Sequence, residues 1–316
     1  MRNKAELLEW ERRWLVPAGL ATFAGAALVI ASIFAIGGVS GEGDAELLRS
    51  VYEHSSSVTL SSILQAVGFV FLVAPLVVLF KAVAARSNRV RYQLIGLVIA
   101  APLFLSASSV LSADATNEAA TQFVAGNAKP GITAKAAAED CGSEQKEMGA
   151  KKFGEEFGGA SPLNALKRCT AEKLGDEAAS NAIAEASTRG IATGFGLGGR
   201  LGLAIALLYS CLYGMRTGLL TRFWGSLGMA LGVAALLLRV EFTMIWFIYF
   251  GFLLLGRLPG GRPPAWDAGE AVPWPTPGEK AAESLEANGP SDASEQPSLG
   301  EGAPADGERR KRKQRD

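Results

Sequence analysis

Apolar residues along this chain run in uninterrupted blocks. They do not alternate with polar ones as they would on a helix or strand lying half in water. Stretches free of Asp, Glu, Lys and Arg occupy Trp14–Gly37, Val58–Phe80, Tyr92–Leu111, Leu201–Met215, Phe223–Leu238 and Phe242–Gly256. A bilayer-spanning helix needs about 20 apolar residues, with a usual range of about 17–25. The first three blocks satisfy this outright, the fourth does when begun near Gly196, and the last two are short. Packing all of them into one water-soluble core would leave hardly any amphipathic face. The pattern predicts an all-α membrane protein with six transmembrane helices and a small helical extracytoplasmic domain between helices 3 and 4.

The chain divides accordingly into a three-helix membrane half (1–111), an Ala-rich cap (112–189), a second three-helix half (190–257) and a disordered tail (258–316). The acidic Glu6, Glu9 and Glu11 ahead of the first block argue against a cleaved signal peptide. Residues Ala5 to Leu15 read as an amphipathic lead-in that places Trp10 and Trp14 at headgroup level. Pro17, Pro75 and Pro102 predict bends in the first three helices; Pro75 and Pro102 are also placed to open a cavity between antiparallel neighbours. In the cap, Ser161-Pro162 starts a helix expected to reach Leu174, and Asp176–Gly190 is expected to run straight into the fourth span.

Overall charge is uninformative, with 31 basic and 31 acidic residues in 316, but its distribution is not. Arg2, Lys4, Arg12, Arg13, Lys81, Arg86, Arg89, Arg91, Arg216, Arg222, Arg257 and Arg262 flank the spans on one side, against Arg49 and Arg239 on the other. The positive-inside rule puts both termini in the cytoplasm. Cys141 and Cys169 then face an oxidising compartment, and a disulfide is favoured over a metal site because no nearby His or second Cys pair completes one. Cys211, the third cysteine, lies within the fourth span.

Taken every fourth residue, that span reads Gly190, Gly194, Gly198, Gly202, Ala206, Ser210, Gly214, a row of small residues suited to close helix contact. The fifth span carries its own small face, Gly225, Gly228, Gly232 and Ala235, and is the expected partner; a second copy of the chain, in a homo-oligomer, is the alternative. Arg200 falls only about 6 Å inside the outer membrane surface at about 1.5 Å per residue. It either snorkels to the headgroups or pairs with Glu241 at the same level, with Gln65 joining a polar layer.

The only histidine, His54, stands beside Glu53 as a solvated pair, and no arrangement for catalysis, phosphate binding or metal binding is present in the sequence. Neither an enzyme nor a cofactor is expected. Beyond the last span, Trp266 and Trp274 sit in Pro-rich surroundings, as membrane-surface anchors or as a docking motif for a protein partner. The terminal Arg309–Arg315 cluster is suited to anionic lipid.

Two short stretches, Gly218-Leu-Leu-Thr-Arg-Phe-Trp-Gly225 and Pro263-Pro-Ala-Trp266 followed by Val272-Pro-Trp-Pro275, resemble an uncharacterised group of actinobacterial multi-pass membrane proteins. The resemblance implies a bacterial plasma membrane and no established activity. The sequence therefore supports a structural or interaction protein embedded in the lipid bilayer. The competing reading is a small-solute or ion transporter built around Arg200 and Glu241.

Overall fold

The computed structural model describes residues 4–275, and all regular structure among them is helical. In chain order the helices are α1 (Lys4–Ala35), α2 (Asp44–Glu53), α3 (Ser55–Phe71), α4 (Val73–Arg86), α5 (Ile95–Val124), α6 (Ala134–Met148), α7 (Ala150–Glu156), α8 (Pro162–Glu185), α9 (Arg189–Arg216), α10 (Arg222–Leu237), α11 (Thr243–Leu255) and α12 (Pro264–Ala268). Four units, Lys4–Ala35, Ser55–Arg86, Tyr92–Val124 and Arg189–Arg216, are long and apolar enough to cross a membrane; Arg222–Leu237 and Val240–Leu255 are apolar but shorter.

Pro75 accounts for the one interruption among the long units. It has no N–H to bond the carbonyl of Phe71, and its ring crowds that carbonyl. The helix breaks at Leu72 and resumes as α4. Pro17 and Pro102 lie inside continuous helices. α4 fills the middle of the bundle, with Leu76, Leu79, Phe80, Ala82 and Val83 all fully buried. Around it, α11 packs on α1, α1 on α3, α3 on α5, α5 on α9 and α9 on α10. α1 and α3 cross closely at two glycines, where a Cβ on Gly25 would stand 2.8 Å from the Gly68 carbonyl.

The row of small residues on α9 does not stay on one face. A helix has about 3.6 residues per turn, so an every-fourth row drifts by about 40° at each step. Gly194 meets nothing within 4 Å, and Gly198 only grazes Phe104. From Gly202 on the row is buried as expected, through Ala206, Ser210 and Gly214, and Gly199 rather than Gly198 extends the buried seam toward the cap. Its upper part faces α5, where a Cβ on Gly202 would stand 2.9 Å from Ala101 Cβ. Its lower part meets α10 as expected: Gly232 lies against Leu207 and Ala204, and Gly228 against Cys211. A Cβ on Gly228 would stand 2.5 Å from Cys211 Sγ and 2.6 Å from Trp246 Nε1, with no slack in either neighbour. Gly228→Val is therefore expected to cost about 1–3 kcal/mol through overpacking. Gly194→Val, on the open face, is expected to stay within about 0.5 kcal/mol. Thermal unfolding of the full-length variants in detergent compares the two.

One end of the bundle carries a cap. Its inner layer is α2, the upper half of α5 and the end of α8, joined through Leu48, Val51, Ala119, Ala120, Ala179 and Ala182. Small side chains there let helices approach closely, and they also favour the helix itself. Two expectations change. α2 packs into the cap although it precedes residue 112, whereas the end of α5 lies within the expected cap as a continuation of the third span's helix. α8 runs on to Glu185, well past Leu174, and the break falls at 186–188. Acids from α5 hold that joint. Glu118 accepts from Ser187 N at 3.0 Å and Ser187 Oγ at 2.7 Å, and Asp114 accepts from Thr188 Oγ1 at 3.2 Å. Asp176, expected to begin a new helix, instead lies within α8 and accepts from Ala45 N at 3.0 Å, capping α2 from afar.

Candidate functional site

Polar groups that must be satisfied inside an apolar bundle mark the places where chemistry or regulation can sit. Toward the cap end, the short turn Val240–Phe242 tips Glu241 to α3, where Gln65 Nε2 donates to its carboxylate at 3.1 Å. Arg200 is absent from this contact, so of its two expected outcomes the pairing with Glu241 is not the one found. Successive residues on a helix point about 100° apart. With Gly199 in the α9 seam, Arg200 turns outward among exposed Leu197 and Leu201. Among the described residues it makes no ion pair or hydrogen bond, and it is exposed. His54 also leaves its expected neighbour Glu53: its Nδ1 lies 3.0 Å from the Ser50 carbonyl, at the joint between α2 and α3.

In the cap, Cys141 and Cys169 form a disulfide between α6 and α8, with Cα atoms 6.1 Å apart. Both cysteines are buried with Phe153 and Ala165 in a very small core. Glu144 stands beside them, its Oε2 3.8 Å from Cys169 Sγ, and its other oxygen is paired with Lys173 Nζ at 2.7 Å. The three groups Cys141, Glu144 and Cys169 lie within 4.8 Å of one another, but thiols joined to each other offer no thiolate to a metal.

The densest polar cluster lies at the other end. Glu11 occupies an apolar stripe of α1, one turn from buried Leu7 and Leu15. Arg86, the last residue of α4, meets it with both amino groups, Nη1 to Oε1 at 2.5 Å and Nη2 to Oε2 at 2.9 Å. Neither side chain is more than 2% exposed. Arg86 also donates Nε to the Ala265 carbonyl at 3.1 Å, Nη1 to the Ala82 carbonyl at 3.0 Å and Nη2 to the Trp266 carbonyl at 3.5 Å, so all five N–H groups of the guanidinium are used.

Ala265 belongs to a strap, residues 258–274, that folds back across this end of the bundle. Trp266 is buried and donates Nε1 to the Leu219 carbonyl at 3.0 Å; Trp274 donates to Leu220 at 2.8 Å. Val272 N bonds Thr217 O at 3.1 Å, and Arg262 caps the end of α11 through the Leu253 and Leu254 carbonyls at 3.3 and 2.6 Å. At Gly218, φ is +77°, and a Cβ would collide with the Val272 carbonyl, so only glycine lets strap and loop meet. The two tryptophans expected at a membrane surface or in a partner's groove are thus engaged by the chain itself. The expected disordered tail is folded as far as Pro275; the basic cluster Arg309–Arg315 lies outside the described residues.

In the sequence Glu11 counts only as one of three acids that argue against a signal peptide, and its pairing with Arg86 is not expected. The signal was available: Leu7, Glu11 and Leu15 recur every fourth residue on one face. Chemically, this end is a lock, in which two charges and a row of main-chain carbonyls are all taken up by partners far away in sequence. No protein-family model, no curated protein and no solved structure matches this chain.

Proposed function

We propose that the protein is a six-span component of a bacterial plasma membrane that acts as a structural or interaction protein. Its cap stands outside, and its strap and both termini are in the cytoplasm. The observation that carries this reading is the separation of the disulfide from the arginine-rich ends. Cys141 and Cys169 are in the cap, whereas Arg86, Arg89, Arg216, Arg222 and Arg257 gather at the opposite end. An oxidising exterior and a positive interior agree on one orientation. The short α10 and α11 cross in this reading as a hairpin. At about 1.5 Å per residue the 16 residues of α10 reach about 24 Å, which local thinning of the bilayer accommodates. A conduit through the bundle is disfavoured by α4, which fills the centre with apolar side chains, and by the outward turn of Arg200.

Reporter fusions test the orientation. A fusion at residue 86 is expected to read cytoplasmic and one at residue 150 exterior; the reverse pattern would overturn both the orientation and the assignment of the cap. For the interaction role, partners captured by cross-linking the intact protein are expected to depend on residues 112–189. Partners that persist without the cap and vanish on removing residues 276–316 would move the role to the tail. Truncation has to begin at 276, because the strap up to 275 is part of the fold.

A further inference from the structure

A cleft of about 520 Å³ opens where α10 begins, α11 ends and the strap crosses them. That volume lies in the range of small-molecule sites, about 300–1,000 Å³. Its floor is rigid and aromatic: the rings of Trp224 and Tyr249 stack at 3.6 Å with 6° between their planes, and the Trp224 carbonyl is held by Trp246 Nε1 at 3.0 Å. Trp274 forms a second wall, while Phe223, 66% exposed, stands at the mouth. Among the described residues Arg262 is the only charged one lining the cleft, and no acid lines it. Its Nε and Nη2 are committed to the α11 carbonyls, and its Nη1 has no partner among the described residues. Arg222 lies alongside, donating to the Trp274 carbonyl at 3.4 Å.

We propose that this cleft binds the headgroup and glycerol backbone of an anionic phospholipid from the cytoplasmic leaflet. The inference rests on the membrane orientation proposed above, which sets the ends of α10 and α11 at headgroup depth. Three features select the ligand. Trp and Tyr faces at this depth suit the boundary between headgroup and acyl chain. A basic pocket between spans on the cytoplasmic side suits a phosphate diester. A choline headgroup, which aromatic walls alone would welcome, meets the Arg262 charge and is repelled. A proline-rich peptide also fits aromatic grooves and can offer a carbonyl to Arg262 Nη1, but it brings no negative charge to the guanidinium.

The full-length protein is to be reconstituted in nanodiscs of equal phosphatidylglycerol and phosphatidylcholine, released into detergent and weighed with its retained lipid by native mass spectrometry. One retained phosphatidylglycerol is expected, favoured about tenfold over phosphatidylcholine, a difference of about 1.4 kcal/mol. Arg262→Gln is expected to abolish the preference, and Arg257→Gln, outside the lining, to preserve it. Arg262→Lys keeps the charge and is expected to keep the preference, so the test survives if the Gln variant does not fold. Equal retention of the two lipids, or the same preference in Arg262→Gln, would overturn the site. So would displacement of the lipid by soluble glycerophosphate or by a peptide of residues 272–290, which would assign the cleft to a free phosphate or to the chain's own tail. Protein that never enters nanodiscs would overturn the membrane reading as well, and is told apart from a failed site by that step.

Discussion

Arg86→Ala is expected to destabilise the protein by about 3–5 kcal/mol, the cost of breaking a buried ion pair from one side. Glu11 would be left buried in an apolar stripe without the guanidinium that pairs it, and the Ala265 carbonyl would lose its donor. Glu11→Ala removes the opposite member, and its loss should be of similar size, because a guanidinium is then stranded. The informative comparison is Glu11→Leu combined with Arg86→Met. Removing both charges leaves only hydrogen-bonding groups to satisfy, and it is expected to recover part of either single loss. Thermal unfolding of the full-length variants in one detergent measures all three. A double variant as unstable as the sum of the singles would show that the two side chains act independently, and that the strap carbonyls outweigh the ion pair.

The second large effect is expected in the cap. Cys141 and Cys169 are 28 residues apart, and closing a loop of that length is worth about 3–4 kcal/mol in the chain-entropy model. Few other forces hold this part together. Its core is four buried residues, of which two are the cysteines and one is Ala165. Reduction, or replacing both cysteines by Ser, should therefore open α6, α7 and the start of α8 while leaving the bundle intact. Trypsin reports this directly at the exposed Lys151 and Lys152, where cleavage is expected to accelerate sharply. Unchanged cleavage under reducing conditions would show that the outer cap is held by its alanine contacts alone.

How far the fold could be read from the sequence depended on which quantity each feature obeys. Block length set the four long helices, and the Ser161-Pro162 start and the Cys141–Cys169 pair emerged as written, because caps and cysteines are local signals. Rotation about a helix axis was harder. Depth placed Glu241 level with Gln65 but left Arg200 with two outcomes, an outward turn or a pairing with Glu241, because depth leaves azimuth undetermined; the outward turn is the one found. The small-residue row failed over its first turns for the same reason: the drift of the every-fourth row turns Gly194 away from α5 before Gly202 meets it. The break at 186–188 depends on Glu118 and Asp114, about 70 residues earlier in the chain, and periodicity within one segment has no access to such partners. The strap was the largest omission. Its prolines and glycines have the composition of a loose tail, and its order comes from carbonyls on the 217–220 loop that are fixed only once the bundle exists. The two stretches that carried the family resemblance, 218–225 and 263–275, turn out to be the two halves of that one contact.

The strap also dates the last event in the molecule's construction. Its bonds join partners separated by 179 residues, from Arg86 to Ala265, and by 47, from Leu219 to Trp266. The strap side of each bond is also the last to be synthesised, so these contacts close after the helices that precede them. Until then Glu11 and Arg86 have each other but lack the roof that excludes water from them. A nascent chain can thus have every long helix inserted while its arginine-rich end is still open. Quality control acting on that end would see an unfinished protein until residue 274 is in place.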